Sequence, residues 1–160
     1  MKKPIFCSVL LVLMLDAALV QSQQLTIQIE AQKPVVLTRA AIEALPRIEV
    51  KTGAPDAPVT FAGVSLRLLL EKAGVSFGES LRGKRLASCL LIDAADGYRV
   101  VIALPEIDPA FTDRQFVLAF LRNGKPLDEK EGPYRIVIPD EKRMARWVKR
   151  VTTLRIVDPE

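Results

Sequence analysis

Apolar and polar positions alternate in short runs along most of this chain. Leu25 to Glu30 (LTIQIE) is one such run, and its period of two predicts a half-buried strand. Arg47 to Lys51 repeats the pattern, with Ile48 and Val50 turned inward. Val59 to Phe61, Tyr98 to Leu104, Gln115 to Leu121, Pro133 to Ile138 and Thr152 to Val157 predict further strands. Leu86 to Ile92 is apolar on both alternating faces apart from Ser88, which predicts a central strand covered on both sides.

Helical spacing appears in fewer places. Thr38 is placed to cap Arg39 to Leu45, a segment that Pro46 ends. Leu66, Leu69, Leu70 and Ala73 mark one face of a helix between Ser65, an N-cap residue type, and Gly74, a C′ residue type. A third helix is expected from Asp140, its cap, through about Val148. On it Arg143, Arg146 and Arg150 would share one side, and Met144, Trp147, Val148 and Val151 the other. Between these segments, Ala95-Asp96-Gly97 and Asn123-Gly124 predict tight turns. Gly53 to Pro58 reads as a flexible loop, Gly63 as a hinge, Val75 to Lys84 as a polar loop and Pro105 to Phe111 as a short turn or helix. Roughly six to eight strands with about three short helices predict an α+β domain built on a mixed β-sheet.

The first residues read differently. Lys2 and Lys3 precede an almost wholly apolar stretch from Ile5 to Val20, and Val20-Gln21-Ser22 offers a small residue for cleavage. That pattern predicts a signal peptide over residues 1–22 and a single domain over 23–160, periplasmic or secreted. The apolar stretch falls short of the about 20 residues that span a bilayer, so no membrane span is expected in the mature chain. The whole chain carries a net charge of +4. Losing Lys2, Lys3 and Asp16 leaves it mildly positive, an excess that does not imply nucleic acid.

Residue chemistry excludes several function classes. There is no histidine, which removes Ser-His-Asp and Cys-His catalysis and histidine-ligated zinc. Cys7 lies in the signal segment, and Cys89 alone can form neither an internal disulfide nor a paired-cysteine metal site. The apolar neighbours of Cys89 predict a core thiol. Asp93 and Asp96 fit turn chemistry, and Tyr98 fits either a strand aromatic or a pocket mouth.

Five segments in order carry a resemblance: FAGVSLRLLLEKAGV (Phe61 to Val75), DGYRVVIALPEID (Asp96 to Asp108), FLRNGKPL (Phe120 to Leu127), GPYRIVIP (Gly132 to Pro139) and RMARWVKRV (Arg143 to Val151). The chain resembles the oxidoreductase molybdopterin-binding domain, the fold of sulfite oxidases, and most closely its small exported members. That resemblance implies a sulfite-oxidase-like fold and makes molybdopterin the cofactor to test. In the enzymes of this family a cysteine thiolate before the GV-L-LL segment ligates molybdenum. Here Arg47 to Phe61 contains no cysteine, and Cys89 falls outside the motif. The enzymes' closing motif resembles P-G-x-x-G-x-(K/R)-S-V-K-W. Arg143 and Arg146 stand at its cations and Trp147 at its tryptophan, while Asp140 and Met144 replace a glycine and the serine, and the second glycine is lost near Glu141.

Arg135, Arg143 and Arg146 are therefore the candidate cofactor-binding residues, with no catalytic or metal residue identified. Arginine grips phosphate bidentately, which suits an anion site. Asp140 and Glu141, however, put negative charge where a pterin phosphate would have to approach. Two readings stay open. One is an exported binding or interaction module without a cofactor, taking a small anionic ligand or a protein partner. The other is a molybdopterin-dependent oxidoreductase that holds its cofactor without a protein thiolate.

Overall fold

The computed structural model describes residues 23–30 and 32–159; the segment read as a signal peptide, residues 1–22, lies outside them. The strands, in chain order, are β1 (Leu25–Ile29), β2 (Val35–Leu37), β3 (Arg47–Ala54), β4 (Ala57–Ser65), β5 (Cys89–Ala94), β6 (Arg99–Ala103), β7 (Val117–Arg122), β8 (Lys125–Pro126), β9 (Arg135–Val137) and β10 (Val151–Val157). The helices are α1 (Arg39–Glu43), α2 (Leu66–Lys72) and α3 (Leu104–Ile107). The strands form two sheets. One has the order β2-β1-β10-β5-β6; the other runs β3-β4-β7-β8, with β9 also paired to β7. The first is mixed, because β1 and β10 run parallel while β2, β5 and β6 join antiparallel. The second is antiparallel throughout. The α+β expectation holds, with two sheets where one mixed sheet was expected.

Leu25, Ile27, Leu90, Ile92, Leu154 and Ile156 of the first sheet join Phe61, Val64, Leu118, Phe120 and Ile136 of the second in a single apolar core. The two expected helix caps are present. Thr38 Oγ1 accepts from Ala41 N–H at 3.3 Å, and Ser65 Oγ accepts from Leu68 N–H at 3.4 Å. Leu66, Leu69 and Leu70 then point into the core, as their spacing requires. At Asn123-Gly124 both residues take positive φ, 50° and 75°, the primed hairpin turn. The Asn123 side chain accepts from Thr60 N–H at 2.9 Å, so this turn also clamps β4.

Several expectations need correction. Gly53 to Pro58 is no loose loop: β3 and β4 stay paired to Ala54 and Ala57, so only Pro55 and Asp56 make the turn. Gly63 is no hinge. It lies inside β4 at a bulge, directly against the β7 backbone. β5 is covered on one side rather than two: Leu90, Ile92 and Ala94 are buried while Cys89, Leu91 and Asp93 are only partly covered. Leu91 faces Arg155 across the ladder, and a long aliphatic stem shields an apolar neighbour without a second layer. Cys89 is accordingly half-buried and not a core thiol.

The largest correction is the third helix. Residues 140–148 form turns and one 3-10 turn, Met144–Arg146. Tertiary pairing overrides the helical spacing. Ile136 N–H donates to Val148 C=O at 2.8 Å and Val151 N–H to Tyr134 C=O at 2.9 Å, so the chain must return extended alongside β9. Trp147, Val148 and Val151 are buried as the helical reading expected, but Met144 is 63% exposed.

Tyr134, fully buried just before β9, donates its hydroxyl to Gln23 C=O at 2.7 Å. Burial pushes its hydroxyl up to about 12, against the opposing pull of Arg39. Because the folded value is raised, Tyr134 contributes stability that is complete below about pH 10 and lost as pH rises towards 12. Urea midpoints measured across that window should fall more steeply for the wild type than for Tyr134→Phe. Parallel slopes would show that Tyr134 titrates alike in the folded and unfolded chains.

Candidate functional site

The three arginines singled out by sequence do not converge on one partner. Arg135 lies in β9 and is 5% exposed. Its guanidinium carbon sits 5.2 Å from the Phe61 ring centroid and 5.5 Å from that of Trp147. The two rings meet edge to face at 6.1 Å. Arg135 Nη1 donates to Glu131 Oε1 at 2.5 Å. The same carboxylate oxygen takes Arg122 Nη1 at 3.3 Å and lies 3.8 Å from Lys149 Nζ. This is one buried acid beneath three cations, roofed by two aromatic rings.

Arg146 belongs to a second cluster that the sequence did not disclose. Its Nε donates to Glu141 Oε1 at 2.8 Å and its Nη1 to Glu106 Oε2 at 3.2 Å. Arg114 reaches the same two acids, with Nη1 on Glu106 Oε2 at 2.9 Å and Nη2 on Glu141 Oε1 at 3.1 Å. Arg114 Nε donates to Asp140 Oδ2 at 2.8 Å. The hydrogen bond to Asp140, then those to Glu141, hold the Arg114 guanidinium above its ordinary value despite partial burial. Glu141 does the same for Arg146, with Glu106 adding to it. Arg143 stands apart, exposed and without an ion pair among the described residues.

The elements position this second cluster from far along the chain. Glu106 projects from α3, where Pro105 occupies the first turn and Glu106 Oε1 accepts from Ala103 N–H at 3.3 Å. Arg114 comes from the connection into β7, and Asp140, Glu141 and Arg146 from the irregular segment after β9. Arg114 also lines a cleft of about 460 Å³ whose walls include Ile48, Leu68 and Phe116. Local spacing gave no sign of Arg114, because its partners lie 8, 26 and 27 residues away. Asp108, an acid type suited to capping the short segment after Pro105, is structural. It is 1% exposed and accepts from Gly78 N–H at 2.5 Å and from Ala110 N–H at 3.0 Å.

What this arrangement can do follows from its charges. Three carboxylates answer two guanidiniums, so the Arg114–Arg146 cluster presents no unanswered positive charge to an incoming phosphate. Among the described residues no group of three His, Cys, Asp or Glu side chains could hold a metal ion. Cys89 lies in the β5 ladder opposite Ala103 and Val157, not in the stretch before α2 where the family resemblance calls for a thiolate. The residues present therefore do not fit molybdopterin as the family's enzymes hold it: that stretch offers no thiolate, and Arg146, one of the two closing-motif cations, is already paired within the chain. No described helix is long and apolar enough to cross a membrane.

Comparison with known proteins gives two findings. A family model, the oxidoreductase molybdopterin binding domain, matches residues 56–160. Among solved structures, the chain is similar to the sulfane dehydrogenase SoxCD from Paracoccus pantotrophus, with a TM-score of 0.66 and 23% identity. That likeness covers 86% of this chain and 39% of the solved one, and it shows the fold. The curated proteins contain no match.

Proposed function

We propose, for a chain that belongs to the oxidoreductase molybdopterin binding domain family, that it works as an exported binding or interaction module without molybdenum chemistry. One observation carries this reading. Arg146, at a cation position of the family's closing motif, is already paired with Glu141 and Glu106 of the same chain. A pterin phosphate arriving there would have to displace those carboxylates and then sit beside them. The chemistry that remains is recognition: the chain would present side chains to a small ligand or a protein, with no electron transfer. Fold membership alone does not carry the enzymes' activity.

Family membership favours one second reading, an oxidoreductase that holds molybdopterin by its arginines and not by a thiolate. A single preparation separates the two. Protein purified from its native compartment should start near Gln23 by intact mass and carry no stoichiometric molybdenum by elemental analysis. One molybdenum per chain would establish the second reading, and a retained 1–22 segment would overturn export by cleavage.

A further inference from the structure

Glu141 and Glu106 do more than sit near two arginines. Each carboxylate bridges the same pair of guanidiniums. Glu141 Oε1 takes Arg114 Nη2 at 3.1 Å and Arg146 Nε at 2.8 Å, and Arg146 Nη2 also donates to it. Glu106 Oε2 takes Arg114 Nη1 at 2.9 Å, with Arg146 Nη1 at 3.2 Å and Nη2 at 3.3 Å. Two planar forks closing on shared oxygens is the geometry that guanidiniums offer a tetrahedral oxyanion.

Resting on the reading that the chain carries no phosphate-bearing cofactor, we propose that Arg114 and Arg146 form an oxyanion seat occupied by the chain's own Glu106 and Glu141 carboxylates. A small phosphate-class anion is excluded while they are present and admitted once they are made neutral. Three features separate this cluster from ordinary surface ion pairs. The Glu141 side chain is only 9% exposed, whereas exposed pairs hold loosely in solvent. The partners come from separate segments, 40 residues apart for Arg146 and Glu106, unlike the helical i, i+4 pairs Arg39–Glu43 and Arg67–Glu71. Every nitrogen of both guanidiniums has a carboxylate acceptor, Asp140 taking the Nε of Arg114, so the N–H groups aimed into the cluster are already engaged when an anion arrives. A resident ligand also competes at an effective concentration of about millimolar or more, which a free anion at lower concentration does not match.

The seat has its own reporter. Trp147, the only tryptophan, follows Arg146 and donates its Nε1–H to Ile138 C=O at 3.0 Å. Titrating inorganic phosphate and pyrophosphate into the purified chain, read by Trp147 fluorescence and calorimetry, tests the proposal. The wild type should give no saturable response. The double variant Glu106→Gln/Glu141→Gln should bind pyrophosphate saturably, at least tenfold more tightly than the wild type, and adding Arg146→Gln should abolish that gain. No saturable binding by a folded double variant, or binding that survives Arg146→Gln, would overturn the proposal. Equal binding by the wild type would overturn it too, because the seat would then be open.

Circular dichroism and thermal unfolding establish that the double variant is folded. If it is not, Glu141→Gln alone takes its place: it keeps Glu106 and Asp140 to hold the segments, releases Arg114 Nη2 and Arg146 Nε, and should give a smaller saturable gain that Arg146→Gln again abolishes, while no gain in the folded single variant would overturn the proposal. Failure of both variants to fold would make the cluster a structural lock between segments and overturn the seat. These outcomes stay distinct from the parent reading, which falls on molybdenum in the native protein, whatever the variants bind.

Discussion

Gly63→Ala is expected to destabilise the chain by more than about 3 kcal/mol and to leave much of it insoluble. A Cβ built on Gly63 would lie 2.0 Å from Leu118 O and 2.6 Å from the Ala119 Cα. Both are backbone atoms of the adjacent strand, so no side chain can rotate away to make room. Gly63 also sits where the β4–β7 register shifts, pairing with Ala119 while Ala62 pairs with Leu121. The bulge brings the two backbones together, and a methyl group would force apart the central pair of the second sheet. Gly97→Ala is the matched control. Its φ of +84° makes a side chain strained, but nothing lies within 4 Å of the added carbon. That strain alone should cost about 1–2 kcal/mol. Urea denaturation of both variants reads the difference. A similar loss in each would show that β4 and β7 can separate at little cost.

The contrast explains what the sequence could and could not disclose. Strands read from alternation were found nearly everywhere they were expected, because period two is a local property of a sheet with one buried face. Ser65 and Thr38 were legible as caps for the same reason: cap and helix are neighbours in the chain. Gly63 looked like a hinge because glycine in sequence signals freedom, whereas its role here is close approach by a strand more than 50 residues away, about which the local sequence is silent. The segment after Pro139 failed similarly. Asp140 had the right identity for a helix cap, but its carboxylate is taken by Arg114 and the following backbone is drawn back along β9.

The candidate site divided along the same line. The resemblance to the family selected Arg143 and Arg146, with Arg135 added from the preceding strand, and it could place them only on the family's own backbone. In this chain the helix is absent, and the three side chains go three ways: one beneath aromatic rings, one to solvent, one into a carboxylate cluster. The acids that decide their chemistry, Glu131, Glu106 and Glu141, carry no motif. Glu131 stands four residues before Arg135, a spacing that on a helix would suggest a pair, but the intervening chain is not helical. The pair forms because Gly132 and Pro133 turn the chain into β9.

Glu131→Ala should cost about 3–5 kcal/mol, because it leaves the Arg135 guanidinium buried without its counter-charge. The Arg135 side chain is 7% exposed, and Glu131 is the only carboxylate paired with it among the described residues. Removing that carboxylate also leaves Arg122 and Lys149 facing Arg135 with nothing between the three positive charges. The Phe61 and Trp147 rings over the guanidinium supply attraction of about 0.5–2 kcal/mol, too little to replace a buried ion pair. Replacing both partners by apolar residues, Glu131→Leu with Arg135→Met, should recover most of the loss, since a buried pair often gives no more stability than well-packed apolar side chains of similar volume. Urea midpoints of the single and double variants measure the coupling directly. The same experiment decides what Arg135 is for. As a structural cation, its loss of stability in Glu131→Ala should be insensitive to added phosphate beyond the general effect of salt. Specific rescue by low-millimolar phosphate would mean that an external anion can reach Arg135 and take the place of Glu131, restoring Arg135 as an anion-binding residue.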